Sequence, residues 1–138
     1  MKKIVLTGAA GRLGSYLREP LSKMCNELIS TDIEEDIGKI YAGETYMQGD
    51  LASMDDMMRI IEGAEMVVHM GAFVDEGPFE QLLGPNFVGS YNVWEAGFKH
   101  GVRRVVYASS IHAVGMYPKN EFILITKQRL SLIFSGSF

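Results

Sequence analysis

The stretch TGAAGRLG, Thr7 to Gly14, constrains this chain more than any other. It joins the short β-branched run KKIVLTG to GRLGSYLREPLSKM, where Leu13, Leu17, Leu21 and Met24 recur on one helical stripe. Glycines at 8, 11 and 14 let such a turn tighten and let backbone come close to a ligand. The helix that follows would present unpaired N–H groups and its positive dipole end, which suits a pyrophosphate. The spacing is G-x-x-G-x-x-G, not the commoner G-x-G-x-x-G, and alone it describes a tight turn equally well.

The rest of the chain repeats the alternation. ELISTDI reads as strand two, ETYMQGD as strand three, EMVVHMGA as strand four and RRVVYASS as strand five. SMDDMMRIIEGA reads as a helix with Ser53 as its N-cap and Gly63 as its stop. PNFVGSYNVWEAGFKHG reads as a helix opened by Pro85 and closed near Gly101. Pro20 inside the first helix removes one hydrogen bond and should kink it. Buried apolar strands alternating with helices imply an α/β fold, a parallel sheet with helices on both faces. No linker and no repeat interrupts the pattern.

Composition narrows the partners. A formal charge of −4 argues against a nucleic-acid surface. No apolar run approaches the roughly 20 residues that span a bilayer, and the apolar run after Met1 is too short for a signal peptide. A single cysteine, Cys25, excludes an internal disulfide and a multi-cysteine metal site, and no metal is expected. A soluble cytoplasmic protein is the expectation.

Further residues support a dinucleotide. Asp32 ends strand two, where a carboxylate accepts hydrogen bonds from the adenosine ribose and repels a 2′-phosphate. That favours NAD over NADP, although Arg12 in the glycine loop argues faintly the other way. Asp50 and Leu51, in GDL, follow strand three where an adenine edge would lie. Gly71 and Ala72, in HMGA, are small enough to let backbone approach the cofactor. The expected cofactor set is therefore Gly8, Ala10, Gly11, Arg12, Leu13, Gly14, Asp32, Asp50, Leu51, Gly71 and Ala72. The competing roles are a capping Asp50 and a packed core His69.

TGAAGRLG, GDL, HMGA, PFEQLLGPNFVGSYNVWEA and YASSIHAVGMYP together resemble the extended short-chain dehydrogenase/reductases of the epimerase/dehydratase superfamily. The likeness is closest to uronate dehydrogenases and related sugar dehydrogenases, and it covers residues 1–118. It implies a Rossmann-like, doubly wound NAD-binding domain there, C-terminally truncated at about five strands, with residues 119–138 an atypical apolar tail. It also implies hydride transfer at a sugar carbon; the uronate enzymes oxidise the anomeric hydroxyl to a lactone. A nucleotide-sugar epimerase or dehydratase shares the same loop and serine. A non-catalytic NAD-binding module is the reading outside the enzyme class.

In the family the second serine of the pair, Ser110 here, orients the reacting hydroxyl, whereas Ser109 has a structural place at the strand end. A strand-end cap is the competing role for Ser110. Its family partners are a tyrosine and a lysine four residues on, and none of the six tyrosines here has a lysine at that spacing. Past Pro118, KNEFILITKQRLSLIFSGSF no longer resembles the family. The expectation is an early stop of the kind a frameshift leaves; a natural short protein with a dedicated tail is the rival.

The resemblance also places substrate contacts at Val74, Ile111 and His112. Uronate dehydrogenases carry serine and asparagine where Val74 and Ile111 stand. Losing such a partner leaves a buried sugar hydroxyl unpaired, at about 1–3 kcal/mol each. Asn86 matches a family asparagine near the cofactor, in a proton relay or a structural water site; a polar residue near a helix start is the plainer role. Phe87, Tyr91, Trp94 and Phe98 form a stripe that ordinarily marks core. In the family this helix packs in a dimer, so a homo-oligomer is expected.

Overall fold

A computed structural model describes residues 1–110, and Met1–Ala108 form one compact unit. Its elements are β1 (Lys3–Thr7), α1 (Arg12–Met24), β2 (Glu27–Thr31), β3 (Glu44–Tyr46), α2 (Met54–Ile61), β4 (Met66–His69), α3 (Phe79–Leu82), α4 (Gly89–Lys99) and β5 (Arg104–Tyr107). The strands form one sheet in the order β3-β2-β1-β4-β5, every pair parallel. This is the doubly wound arrangement, with its switch point between β1 and β4.

Strand alternation sends neighbouring residues to opposite faces. Ile4, Leu6, Leu28, Met66 and Val68 pack on one side with Leu21 of α1. Val5, Ile29 and Val67 pack on the other with Met57, Ile60 and Ile61 of α2 and Val93 and Ala96 of α4. Both faces are therefore covered by helix, which is why β1, β2 and β4 read as continuous apolar runs. The register also lines up Thr31, Thr7, His69 and Tyr107 across the sheet at its C-terminal edge.

Three helix expectations need correction. The helix after β4 opens at Phe79, with Pro78 at its N-cap, not at Pro85. Pro85 lies inside a π-helical segment, Leu83–Val88, that runs into α4. The wider turn accommodates a residue that has no N–H and would crowd a regular turn, and Gly89 N–H reaches back to the Gly84 carbonyl.

The inward face of α1 is Gly14, Arg18, Leu21 and Ser22, while Leu13 and Met24 are exposed. Charge pairing overrides the leucine stripe. Arg18 is drawn inside by Glu44, whose carboxylate it meets through Nε at 2.7 Å and Nη2 at 3.1 Å. Burial alone would raise the Glu44 pKa, but hydrogen bonds from Arg18, Ser30 and the Tyr41 N–H bring it below the ordinary value.

The aromatic stripe that runs from the π-helical segment into α4 is mostly not core, Trp94 alone being half-buried, 6.4 Å from the Tyr107 ring. Phe87, Tyr91 and Phe98 are 60%, 62% and 83% exposed. The buried face of α4 carries Gly89, Asn92, Val93, Ala96 and Gly97: Val93 and Ala96 pack with the sheet and α2, Gly89 and Asn92 meet Leu51, and Gly97 lies beside Val102. The α2 expectations hold: Ser53 accepts the Asp56 N–H at 3.2 Å, and Gly63 has φ +71° just past the helix.

Candidate functional site

A cleft of ≈ 950 Å³ opens at the C-terminal edge of the sheet. Gly8, Ala10, Gly11, Arg12, Leu13, Gly14, Asp32, Asp50, Leu51, Gly71 and Ala72 all line it, as does Val74. Every cofactor residue expected from the sequence except Asn86 thus borders a single cavity.

The glycines make that cavity possible by close approach. Gly8 adopts φ +70°, and a Cβ there would stand 2.5 Å from the Gly71 nitrogen. A Cβ on Gly14 would stand 1.9 Å from the Gly8 carbonyl oxygen. The loop, the start of α1 and the segment after β4 are therefore in backbone contact. Gly11 N–H bonds the Gly8 carbonyl at 3.1 Å, and Gly11 accepts from Ser15 N–H at 2.9 Å to begin α1. The first-turn N–H groups of α1 have no carbonyl within the helix to take them, and they stand where an anion would be favoured.

Asp32 ties the two halves of the rim together. Its Oδ2 accepts the Ala10 N–H at 2.8 Å, and Oδ1 accepts the Ile33 N–H at 2.8 Å. Two oxygens with four lone-pair positions leave acceptor capacity for hydroxyl groups in the cleft. Asp50 lines the cleft and closes a local turn, its Oδ1 accepting the Ala52 N–H at 2.8 Å, whereas the cap of α2 is Ser53.

Asn86 acts on the cleft wall from behind. Its Oδ1 accepts the Phe73 N–H at 2.8 Å and its Nδ2 donates to the Phe73 carbonyl at 3.0 Å. Both ends of the amide therefore fasten the segment that carries Ala72 and Val74. His69 takes the core role: it is 2% exposed, shares a 2.6 Å hydrogen bond with Thr7 Oγ1, and lies 5.3 Å from the Tyr107 ring. Burial lowers its pKa to about 4. The Thr7 hydroxyl also accepts the Gly71 N–H at 3.3 Å, linking the sheet to the cleft floor.

Val74 is 86% exposed, so it meets the cleft from its open side. Ser109 and Ser110 follow β5 and are exposed. Ile111, His112 and the tail from 119 lie outside the described residues. Sequence reasoning missed Ile33, Glu34, Phe73, Asp75, Pro85, Thr31, Gly49 and Met70 as lining residues. Adjacency to Asp32 and Ala72 was the available signal for the first four. Among the described residues, no group of three His, Cys, Asp or Glu is placed to hold a metal ion, and no helix is long and apolar enough to cross a membrane.

The comparisons with known proteins agree with this geometry. Residues 5–130 match the 3-beta hydroxysteroid dehydrogenase/isomerase family. The chain belongs to that family. It is 41% identical to a uronate dehydrogenase of Pseudomonas syringae pv. tomato, over 88% of this chain and 44% of the relative. A mutant uronate dehydrogenase from Agrobacterium tumefaciens, crystallised with NAD, superposes with a TM-score of 0.81 at 40% identity, over 88% of this chain and 45% of that one. A glucuronic acid dehydrogenase from Chromohalobacter salexigens gives 0.79 at 34% identity, over 85% and 44%. The chain thus spans under half the length of these relatives. The matching part holds the glycine loop, Asp32 and the segment after β4.

Proposed function

We propose that this chain is the NAD-binding portion of a dehydrogenase acting on a sugar or uronic acid hydroxyl. The observation that carries the reading is Asp32, bonded to Ala10 of the glycine loop at 2.8 Å on the rim of a cleft that Gly8, Gly11 and Gly14 also line. The cradle fits a dinucleotide. A side chain at Gly8 or Gly14 would overlap backbone, the start of α1 favours an anion, and Asp32 retains acceptor capacity for ribose hydroxyls. When bound, NAD supplies the hydride acceptor. Gly8, Ala10, Gly11, Arg12, Leu13 and Gly14 hold the pyrophosphate side. Asp32, Asp50 and Leu51 take the adenosine side, and Gly71 and Ala72 the far end, with Asn86 holding that wall.

Ser110 orients the substrate hydroxyl, and Val74, Ile111 and His112 contact the sugar. The uronate dehydrogenase relatives support this substrate class. The 138 residues contain no tyrosine with a lysine four positions on. They therefore supply binding and orientation but no phenolate base. The exposed aromatic stripe of α4 supports a homo-oligomer, and the lone Cys25 with net charge −4 supports a cytoplasmic protein without nucleic-acid partners. Calorimetric titration with NAD and NADP tests the cofactor assignment, and NADH formation from uronic acids and aldoses tests the chemistry.

A further inference from the structure

The loop after β2 carries Asp32, Ile33 and Glu34 into the cleft, and its carbonyls are held from outside by side chains that never enter the cleft themselves. The single Tyr46 O–H proton is shared between the carbonyls of Asp32, at 3.1 Å, and Glu34. Gln48 Nε2 donates to the Ile33 carbonyl at 2.9 Å. Arg18 donates to the carbonyls of Ile37 at 2.5 Å and Lys39 at 2.6 Å, while its other bonds go to the buried Glu44. Burial first, then the charges of Asp32 and Glu34, raise the Tyr46 pKa, so the hydroxyl keeps its proton and remains a donor.

We propose that Tyr46, seconded by Gln48 and the Arg18–Glu44 pair, is a positioning element that sets the preference for NAD over NADP. The inference rests on the cofactor reading given under Proposed function. A carboxylate rejects a 2′-phosphate only while it cannot move away. Asp32 Oδ1 accepts the N–H groups of Ile33 and Glu34, at 2.8 and 3.4 Å, so fixing those two residues fixes the carboxylate. Glu34 adds a second negative charge on the same wall. The Asp32 carbonyl also accepts the Gly49 N–H at 3.0 Å, so without the Tyr46 clamp it is the Glu34 end of the loop that can shift outward. Repulsion of a 2′-phosphate then relaxes, Arg12, which also lines the cleft, is left to attract it, and the ribose hydroxyls of NAD lose a fixed acceptor. Both effects lower the ratio of NAD to NADP affinity. A defect that only weakened the fold would lower both affinities together.

The test is calorimetric titration of the 138-residue protein with NAD and with NADP, in the wild type and in Tyr46→Phe, Gln48→Ala and Ile4→Val. Ile4 is buried beneath α1, away from the cleft, and its variant controls for lost stability. In Tyr46→Phe the affinity ratio should fall about five- to tenfold, the size expected for one hydrogen bond. In Gln48→Ala, an exposed change that leaves the fold intact, it should fall less; in Ile4→Val it should not move. An unchanged ratio in both Tyr46→Phe and Gln48→Ala overturns the inference, even if both affinities drop. Should Tyr46→Phe fail to fold, Gln48→Ala decides alone. Failure of the underlying cofactor reading is separable, because it appears in the wild type as no preference for NAD.

Discussion

Asp32 accepts the backbone N–H of Ala10 at 2.8 Å, across the gap between the end of β2 and the glycine loop. The bond couples two parts of the cleft rim that belong to different βα units. A residue read from the sequence as a ligand contact is therefore also a fastener of the loop that faces the ligand. Thr7 plays the matching part on the floor, where its hydroxyl joins His69 to the Gly71 N–H.

Gly14→Ala should destabilise the protein although alanine is the better helix former. Its Cβ would meet the Gly8 carbonyl oxygen at 1.9 Å, and both groups belong to backbone that cannot step aside without moving α1. Overpacking of this kind costs about 1–3 kcal/mol. Urea denaturation of the variant against wild type measures it, and equal midpoints would show that the loop has slack.

Acid should destabilise the fold through His69. Its folded pKa of about 4 lies below the ordinary 6.5, so the unfolded chain takes up a proton that the folded chain refuses. No penalty exists above pH 6.5. Stability falls as pH drops from 6.5 to 4, by about 3 kcal/mol in total. Glu44, whose pKa is lowered, adds its own loss only once pH falls below the ordinary carboxylate value. Denaturation midpoints across pH 4 to 7 should show the slope, and His69→Gln should flatten its upper part. A variant that keeps the full slope would place the titration elsewhere.

The sheet was legible because covered parallel strands must be apolar, and β1, β2 and β4 announce themselves that way. The residues that line the cleft were legible because the glycine loop and Asp32 sit at strand ends, where topology gathers them. The inward turn of Arg18 was not. It depends on Glu44, which is distant in sequence, and no local pattern couples them. The start of the helix at Phe79 was hidden by Pro85, which usually opens helices and here sits in a π-helical segment. The stripe from Phe87 to Phe98 has the spacing of a core face. The buried side of α4 is instead the one that carries Gly89, Asn92, Val93, Ala96 and Gly97.

That exposed stripe should make the chain associate. Phe87, in the π-helical segment, and Tyr91 and Phe98, in α4, are together an exposed aromatic stripe. Light scattering at low concentration should return the mass of a dimer or larger. Phe98→Glu, at a position 83% exposed, should shift the mass toward a monomer without lowering the melting temperature. A wild-type monomer would refute the assembly.

The 138-residue chain should bind cofactor without turning over sugar. In the proposed function Ser110 orients a hydroxyl, but general-base catalysis contributes about 10²–10⁴ in rate, and the tyrosine–lysine spacing that would supply it does not occur in these residues. NADH formation from a panel of uronic acids and aldoses, at high protein concentration, should stay at background. Turnover that vanishes in His112→Ala would make that histidine the base.

The cofactor assignment is tested most directly by calorimetric titration of the wild-type chain with NAD and with NADP, repeated on Asp32→Ala. Asp32 would stand beside the 2′-phosphate with like charge, so NAD should bind the wild type the more tightly. Asp32→Ala should weaken NAD about tenfold, the size of one hydrogen bond to a charged group, and erase most of the preference. Tighter binding of NADP to the wild type, or no binding of either, would contradict the assignment of this cleft.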